Sequence, residues 1–275
     1  MASLPYKSIT ASPPFTFLVG PEQKEHTIHS ALVARQSKAL NALVNGRMKE
    51  ATERRAIWGE IDEETFIRFS QYVYTGNYDE SEPKKRQADT LTPSQAEQNR
   101  AVFSEWNGLR LGVGGRVMRQ QGGVKPPPIS TKKDLLWNRF QKLHPLPSAR
   151  AVSLSTNGPD DDYTDVFLCH ARTYVFADYY GIEALQTMAL HKLRQALTRF
   201  KLHANGCGDV TRLVEYCFNE TTDKGEQTDP LRSLVCLYAA CKVEELWKVA
   251  EFQDLMRTLP EFPTGLITAM LDRLD

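Results

Sequence analysis

Phe15-Thr-Phe-Leu-Val-Gly20-Pro21 and, shortly after it, Glu25-His-Thr-Ile28 decide how the first part of this chain folds. Phe15, Phe17 and Val19 alternate, so they share one face of a short strand, and Gly20-Pro21 ends that strand in a turn. Glu25 to Ile28 reads as the returning strand. Ser30 and Ser37 are candidate helix N-caps, and after Ser37 the residues Leu40, Leu43 and Val44 fall on one helical stripe that Gly46 closes. Two short helices are expected there. Arg55-Ala-Ile-Trp58 then reads as another strand, and Asp62 caps a helix whose first turn holds Glu63 and Glu64, where acids complement the helix dipole. Phe66, Phe69 and Val73 line one side of that helix, which ends at Gly76.

After Tyr78 the periodicity stops. Residues 79–160 contain a Pro126-Pro127-Pro128 run and the glycine-rich Gly112-Val-Gly-Gly115, and most of this insert is expected to be disordered. One short amphipathic helix is predicted inside it, from Thr131 to Leu143, with Leu136, Phe140 and Leu143 at helical spacing and a role in docking or partner binding. A fold tolerates such an insert, since lengthening a loop from about 5 to about 80 residues costs only ~2.4 kcal/mol. Order is expected to resume at Asp165 as the cap of a helix with Leu168, Ala171 and Val175 inward, stopping near Gly181. Further helices follow from Leu185, Met188, Ala189 and Leu193, from Val210, Leu213, Val214 and Cys217, and from Asp229-Pro230 with Leu231, Leu234, Val235 and Tyr238 inward. At least one more, from about Pro263 to Leu274, closes the chain. The expected class is therefore α+β with helices dominant.

Composition places the chain among ordinary globular proteins: 275 residues, 41% hydrophobic, 25% charged. No apolar run is long enough for a membrane span, and the start lacks a basic region followed by an apolar stretch, so an intracellular protein, cytoplasmic and/or nuclear, is expected. The five cysteines at irregular spacing, with no Cys-x-x-Cys, read as reduced and mostly packed thiols. Charge balances at 34 against 34, but residues 84–150 carry 13 Lys+Arg against four acids, so that segment is +9 and the remainder −9. A solvated linker, an intramolecular tether to the acidic remainder, and a nuclear-import or nucleic-acid segment beginning at Pro83-Lys-Lys-Arg86 all account for that asymmetry.

Catalytic and metal patterns are weak. Gly112-Val-Gly-Gly-Arg-Val117 has Val117 where a dinucleotide loop needs its third glycine. His26 and His29 have no further ligand at zinc spacing and read as structural. Cys169 and His170 are neighbours on a helix and diverge by about 100°, so a thiolate–imidazole pair is not expected. Asp160-Asp-Asp162 lacks the glycine and glutamate of a calcium loop and reads as a solvated acidic turn. A non-enzymatic protein with no cofactor and no metal is expected.

The ordered motifs, taken together and in sequence, resemble a BTB/POZ domain of the filamentous-fungal type: Phe17-Leu-Val-Gly20, Ile28-His-Ser-Ala-Leu32, Ser37, Leu43-Val-Asn-Gly46, Met48-Lys-Glu-Ala51 and Phe69-Ser-Gln-Tyr-Val-Tyr-Thr-Gly76. Beyond the insert the resemblance resumes as Cys169-His-Ala-Arg-Thr-Tyr174 and Ala177-Asp-Tyr-Tyr-Gly181. It implies a small sheet capped by helical hairpins, with a long disordered insert and extra C-terminal helices. The implied organisation is an N-terminal tail (1–14), a first BTB/POZ part (15–78), a flexible basic insert (79–160), a second BTB/POZ part (161–204) and a C-terminal helical extension (205–275). On this resemblance His29, Ser37, Gly46, Gly76, His170, Ala171 and Gly181 are fold landmarks. Phe66, Phe69, Tyr72 and Tyr74 are the aromatic residues among which packing and interface roles divide, outward members of their helix being the interface candidates.

What the resemblance implies is protein–protein interaction, as a scaffold or as a substrate adaptor for a cullin ubiquitin ligase. Two departures bear on partners. Residues 1–14 contain Pro5, Pro13 and Pro14 and too little apolar periodicity for the helix that supports a swapped dimer, so homodimerisation is left open. Thr16-Phe17 and Ser30 stand where many members carry the charged residues of a peptide groove. The rival reading is a nuclear transcription or chromatin-associated factor that binds nucleic acid through 84–150, although aromatics suited to base stacking are sparse there.

Overall fold

The computed structural model describes residues 5–86, 131–145, 157–225 and 227–271. The protein is helix-dominated α+β with a small mixed sheet. It divides into two compact units: unit 1 is Met1–Ser81 with Leu168–Leu193, and unit 2 is Glu82–Phe167 with Arg194–Asp275.

Unit 1 is built on β1 (Pro14–Val19), β2 (Lys24–His29) and β3 (Arg55–Trp58), in the order β2-β1-β3. β1 and β2 form the expected antiparallel hairpin, Phe17 opposite His26, whereas β3 runs parallel to β1 with Ala56 beside Phe17. A parallel return needs a crossover, and three helices supply it: α2 (Ser30–Ala34), α3 (Lys38–Asn45) and α4 (Lys49–Glu53). Alternation decides what is buried. Phe15, Phe17, Val19, Ile28, Ala56 and Trp58 enter one core with Phe66, Phe69 and Val73 of α5 (Glu63–Thr75). The Trp58 ring centres that core, 4.5 Å from Phe17 and 5.6 Å from Phe176, a residue 118 positions along the chain.

Caps explain the helix limits. Ser37 accepts the Leu40 amide at 3.1 Å, Asp62 accepts the Thr65 amide at 2.9 Å, and Gly76 takes the left-handed conformation at φ +76°. Gly46 closes α3 for a different reason, since its φ is an ordinary −75° but a Cβ there would lie 2.2 Å from the Ala42 carbonyl oxygen.

Four local readings in unit 1 need correction. Residues 1–14, read as lacking a helix, contain α1 (Tyr6–Ala11), a six-residue helix with no buried residue that ends before Pro13-Pro14. Its apolar content was no guide because the helix lies on the surface with only Ile9 touching the core. Ser30 is the first residue of α2 and is buried, and His29 holds the cap position. In α7 (Thr164–Tyr179) Ala171 is buried as expected but Leu168 and Val175 are half-buried, because Cys169, His170, Tyr174, Phe176 and Ala177 are buried around most of the helix. Asp165 lies in the first turn of α7 and not at its cap.

Unit 2 is organised by α10 (Pro230–Leu246), which is buried on nearly every side, with Leu234, Val235, Tyr238, Ala239 and Ala240 all inside. Asp229 accepts from the Leu231 and Arg232 amides, and Pro230 occupies the first helical position. Against α10 lie α6 (Lys132–Lys142), α9 (Cys207–Glu220) and α12 (Glu261–Leu271), while α11 (Ala250–Thr258), which the periodicity did not suggest, lies against α9. The flanking part of α8 (Glu183–Arg199) completes the unit. The first residues of the insert are ordered, contrary to expectation: β4 (Lys84–Lys85) pairs antiparallel with β5 (Asp161–Asp162), and the Arg86 amide donates to the Asp160 carbonyl at 2.8 Å.

Candidate interaction surface

In unit 1 α5 carries exposed apolar side chains on its outward face. Its inward stripe is Phe66, Phe69 and Val73, and the outward positions Glu64, Ile67, Gln71 and Tyr74 recur at three- and four-residue spacing. Ile67 is 43% and Tyr74 49% exposed, so the two large residues of the outer stripe remain open to solvent. Tyr74 is also fixed in place. Its hydroxyl lies 2.9 Å from Nδ1 of His29 and accepts the His29 amide at 3.3 Å, which ties the end of β2 to α5. Beside it, Glu63 accepts from Lys24 at 2.6 Å and lies 3.3 Å from His26 Nε2. The hydrogen bond from Lys24 holds the Glu63 carboxyl below its ordinary range and raises Lys24 in turn.

The four aromatic candidates therefore separate. Phe66 and Phe69 are 1% and 0% exposed and belong to the core, so neither can contact a partner. Tyr72 is half-buried against the same core, and Tyr74 alone faces out. On β3, Ile57 is 65% exposed on the sheet face opposite the core, in register with Leu18. The sequence singled out neither Ile57 nor Ile67, although strand alternation sets Ile57 on the face opposite Ala56 and Trp58.

A second constellation in unit 1 gathers around His170, whose long-range partners the sequence did not indicate. Tyr78 is buried with its hydroxyl 2.9 Å from His170 Nδ1, and His170 Nε2 lies 3.6 Å from Glu80. The Ser81 amide donates to Cys169 Sγ at 3.5 Å, and Arg68 donates to the Ser81 hydroxyl at 2.8 Å. Burial would push the Cys169 thiol up, but the charge and hydrogen bond of His170 outweigh it and bring the thiol to about 7. His170 is raised in exchange, burial being opposed by Cys169 and Glu80. The neighbours that were expected to diverge too far to interact are thus coupled. Tyr78 and His170 are 92 residues apart, which is why no motif announced their pairing.

The basic cluster Lys84-Lys-Arg86, in unit 2, is not a free charged segment. Lys84 pairs with Asp165 and Lys85 with Asp161, both at 2.6 Å, and Arg86 binds Asp209, whose side chain is fully buried. Asp209 also accepts the Tyr163 amide at 3.0 Å and the Thr164 hydroxyl at 3.2 Å. Asp160-Asp-Asp162, read as a solvated turn, supplies Asp161 to Lys85 and Asp162 to Arg86 at 3.8 Å. Of the three explanations for the basic segment, the intramolecular tether describes these residues.

All five cysteines are buried and none forms a disulfide. Among the described residues no group of three or more His, Cys, Asp or Glu side chains could hold a metal, and no helix is long and apolar enough to cross a membrane. Gly112 to Val117, and most of the 79–160 insert expected to be disordered, lie outside the described residues. Neither a scan against protein-family models nor a search of curated proteins finds a match to this chain.

Proposed function

We propose that this chain is a non-enzymatic protein–protein interaction module of BTB/POZ type, acting as a scaffold or as a substrate adaptor for a cullin ubiquitin ligase. The observation that carries the reading is the connectivity of unit 1. An antiparallel β1–β2 hairpin is followed by short helices, a β3 strand returning parallel to β1, and α5, with the quoted motifs in that order, before the unit is completed from Leu168 onward. The fixed, half-exposed Tyr74 and the exposed Ile67 and Ile57 fit a binding role, since aromatic and aliphatic anchors on a rigid scaffold dominate interface energies. The rival nucleic-acid reading draws less support, because Lys84, Lys85, Arg86 and Lys133 already pair with carboxylates.

The test is capture of the tagged full-length chain from its native lysate, scored by mass spectrometry for a cullin, beside a deletion of 88–129 that spares β4 and α6. Enrichment of a cullin by both chains, lost in Ile67→Arg, is the expected result for an adaptor. Partners that are lost in Ile67→Arg without any cullin identify a scaffold. Retention of DNA at low salt that disappears with the deletion, together with a partner set indifferent to Ile67→Arg, overturns the proposal.

A further inference from the structure

The buried cluster around Cys169 in unit 1 takes no part in the interaction surface, yet it brings together a nucleophile, a proton donor and a cation. The Ser81 amide donates to Cys169 Sγ at 3.5 Å, and Arg68 donates to the Ser81 hydroxyl at 2.8 Å, which brings a guanidinium to the same residue. His170 is fully buried. Its Nδ1 lies 2.9 Å from the Tyr78 hydroxyl, while Nε2 makes no hydrogen bond among the described residues and lies 3.6 Å from the Glu80 carboxylate. Burial opposes a charge on this imidazole, but Cys169 and Glu80 outweigh burial and favour the protonated ring. Exposure does not distinguish Cys169 from the other thiols, since Cys169, Cys236 and Cys241 are each 3% exposed. Their surroundings do. Burial pushes Cys236 up to about 12, whereas at Cys169 burial is outweighed by His170, the Ser81 amide and Arg68, and the thiol falls to about 7.

The segment lying against this cluster is 77–81, which has no regular secondary structure and exposes Asp79 and Glu80. From it Tyr78 and Glu80 face His170, and Ser81 faces Cys169. An irregular, solvent-facing segment opens locally at a fraction of the cost of global unfolding, and such opening admits a reagent as small as hydrogen peroxide to the sulfur beneath. We propose that Cys169 is a site of reversible oxidation by peroxide, with His170 as the proton donor, and that its oxidation releases the Tyr78–Ser81 segment held by the reduced thiolate. Sγ of the thiolate attacks one peroxide oxygen, an S–O bond forms as the O–O bond breaks, and sulfur is oxidised by two electrons while the peroxide is reduced. The leaving hydroxide takes the proton of the His170 imidazolium, so the products are a sulfenic acid, water and a neutral imidazole. Both charges of the pair are thereby lost, and the added oxygen sits on the sulfur that accepted the Ser81 amide. A thiol reductant restores the cysteine: one thiol displaces water to give a mixed disulfide, and a second releases Cys169 from it. This inference rests on the geometry of unit 1 and does not depend on the BTB/POZ reading.

The experiment treats the reduced full chain with hydrogen peroxide at pH 7 in the presence of dimedone, which captures sulfenic acids, and follows each cysteine by peptide mass spectrometry. Cys169 is expected to be captured at least tenfold faster than Cys207, Cys217, Cys236 or Cys241, because its larger thiolate fraction outweighs the lower nucleophilicity of a less basic thiolate. His170→Asn should slow capture about fivefold. With dimedone omitted, oxidation should speed amide exchange over 77–81 at least fivefold, where the Asp79 and Ser81 amides are hydrogen-bonded in the reduced protein, leave 14–29 unchanged, and revert on addition of dithiothreitol. Should His170→Asn lose its cooperative circular-dichroism melt, the comparison among the five cysteines of the wild type carries the test, since all five share one folded chain. Equal capture of the five cysteines overturns the proposal, as does capture of Cys169 at the rate of global unfolding. A folded His170→Asn chain that reacts as fast as the wild type overturns it, and so does oxidation of Cys169 that leaves exchange over 77–81 unchanged.

Discussion

Arg86→Ala tests whether the ordered stem of the insert is held by a buried ion pair. The Arg86 side chain is 15% exposed and that of Asp209 0%, so both charges have left water. Removing one partner of such a pair costs about 3–5 kcal/mol, because the remaining charge stays buried. Asp209 keeps the Tyr163 amide, the Thr164 hydroxyl and Arg212 at 3.3 Å, which places the cost at the lower end, about 3 kcal/mol. With urea m-values of roughly 1–3 kcal/mol/M, the unfolding midpoint should fall by about 1–3 M. Asp209→Ala should cost as much or more, and the double variant should fall short of the sum of the singles by at least about 1.5 kcal/mol. Hydrogen exchange locates the loss: protection should drop over 157–167 and 207–220 and stay unchanged over 14–29. A cost for Arg86→Ala below about 1 kcal/mol, or an additive cycle, would mean that the pair behaves like a surface contact and that the stem is held by other means.

Three further outcomes follow from unit 1. Phe69→Ala, at a fully buried ring, should destabilise by about 3–5 kcal/mol in chemical denaturation, whereas Tyr74→Ala should lose only about 1 kcal/mol from its His29 hydrogen bond; comparable losses would return Tyr74 to the core. Gly76→Asn should be better tolerated than Gly76→Ala in thermal melts, since asparagine accepts the left-handed conformation, while Gly46→Asn should rescue nothing relative to Gly46→Ala because the obstacle is the Ala42 carbonyl. Thiolate absorbance at 240 nm should show a step near pH 7 from Cys169 that His170→Asn moves up toward 9, with Cys207 and Cys236, both pushed up by burial to about 12, silent there. Because Cys169 is depressed from 9.0, its contribution to stability is complete above pH 9 and is lost as pH falls through about 7; a titration without a step below pH 8 refutes the coupling.

Legibility in the sequence tracked the range of the determining interaction. Ser37, Asp62, Gly76 and Asp229-Pro230 act within four residues, and each sits where local rules placed it. β1, β3 and the inward stripe of α5 were readable because alternation and helical spacing mark the core-facing residues, although Leu18 on the other face of β1 is buried as well. α7 failed that test: most of its surface is covered, so no stripe marks an inside, and Leu168 and Val175 were chosen where Cys169 and His170 are deeper. α1 and α4 bury nothing and leave no apolar trace. The constellations that join distant segments were beyond reach for a plainer reason. Tyr78 with His170, and Arg86 with Asp209, are separated by 92 and 123 residues, and composition alone reads the first as core and the second as a charge cluster.

Unit 1 draws its core from both ends of a long excursion, and this sets the order of events during synthesis. Trp58 has no Phe176 to meet while the insert is being made, and unit 1 is complete only when the chain has been made through Leu193, 112 residues beyond Ser81. At about 5–20 residues per second, that is an interval of roughly 6–22 s in which the Phe17 and Trp58 faces have emerged without their final cover. The nascent protein therefore passes through a stage in which an incomplete sheet and its aromatic surface are available to holdases, proteases and neighbouring nascent chains. Ribosome-bound chains stalled at residue 150 should be cleaved by protease within 14–58, and those stalled at 240 should not. Coding changes that slow translation across the insert would lengthen this exposure and lower soluble yield without altering a single residue.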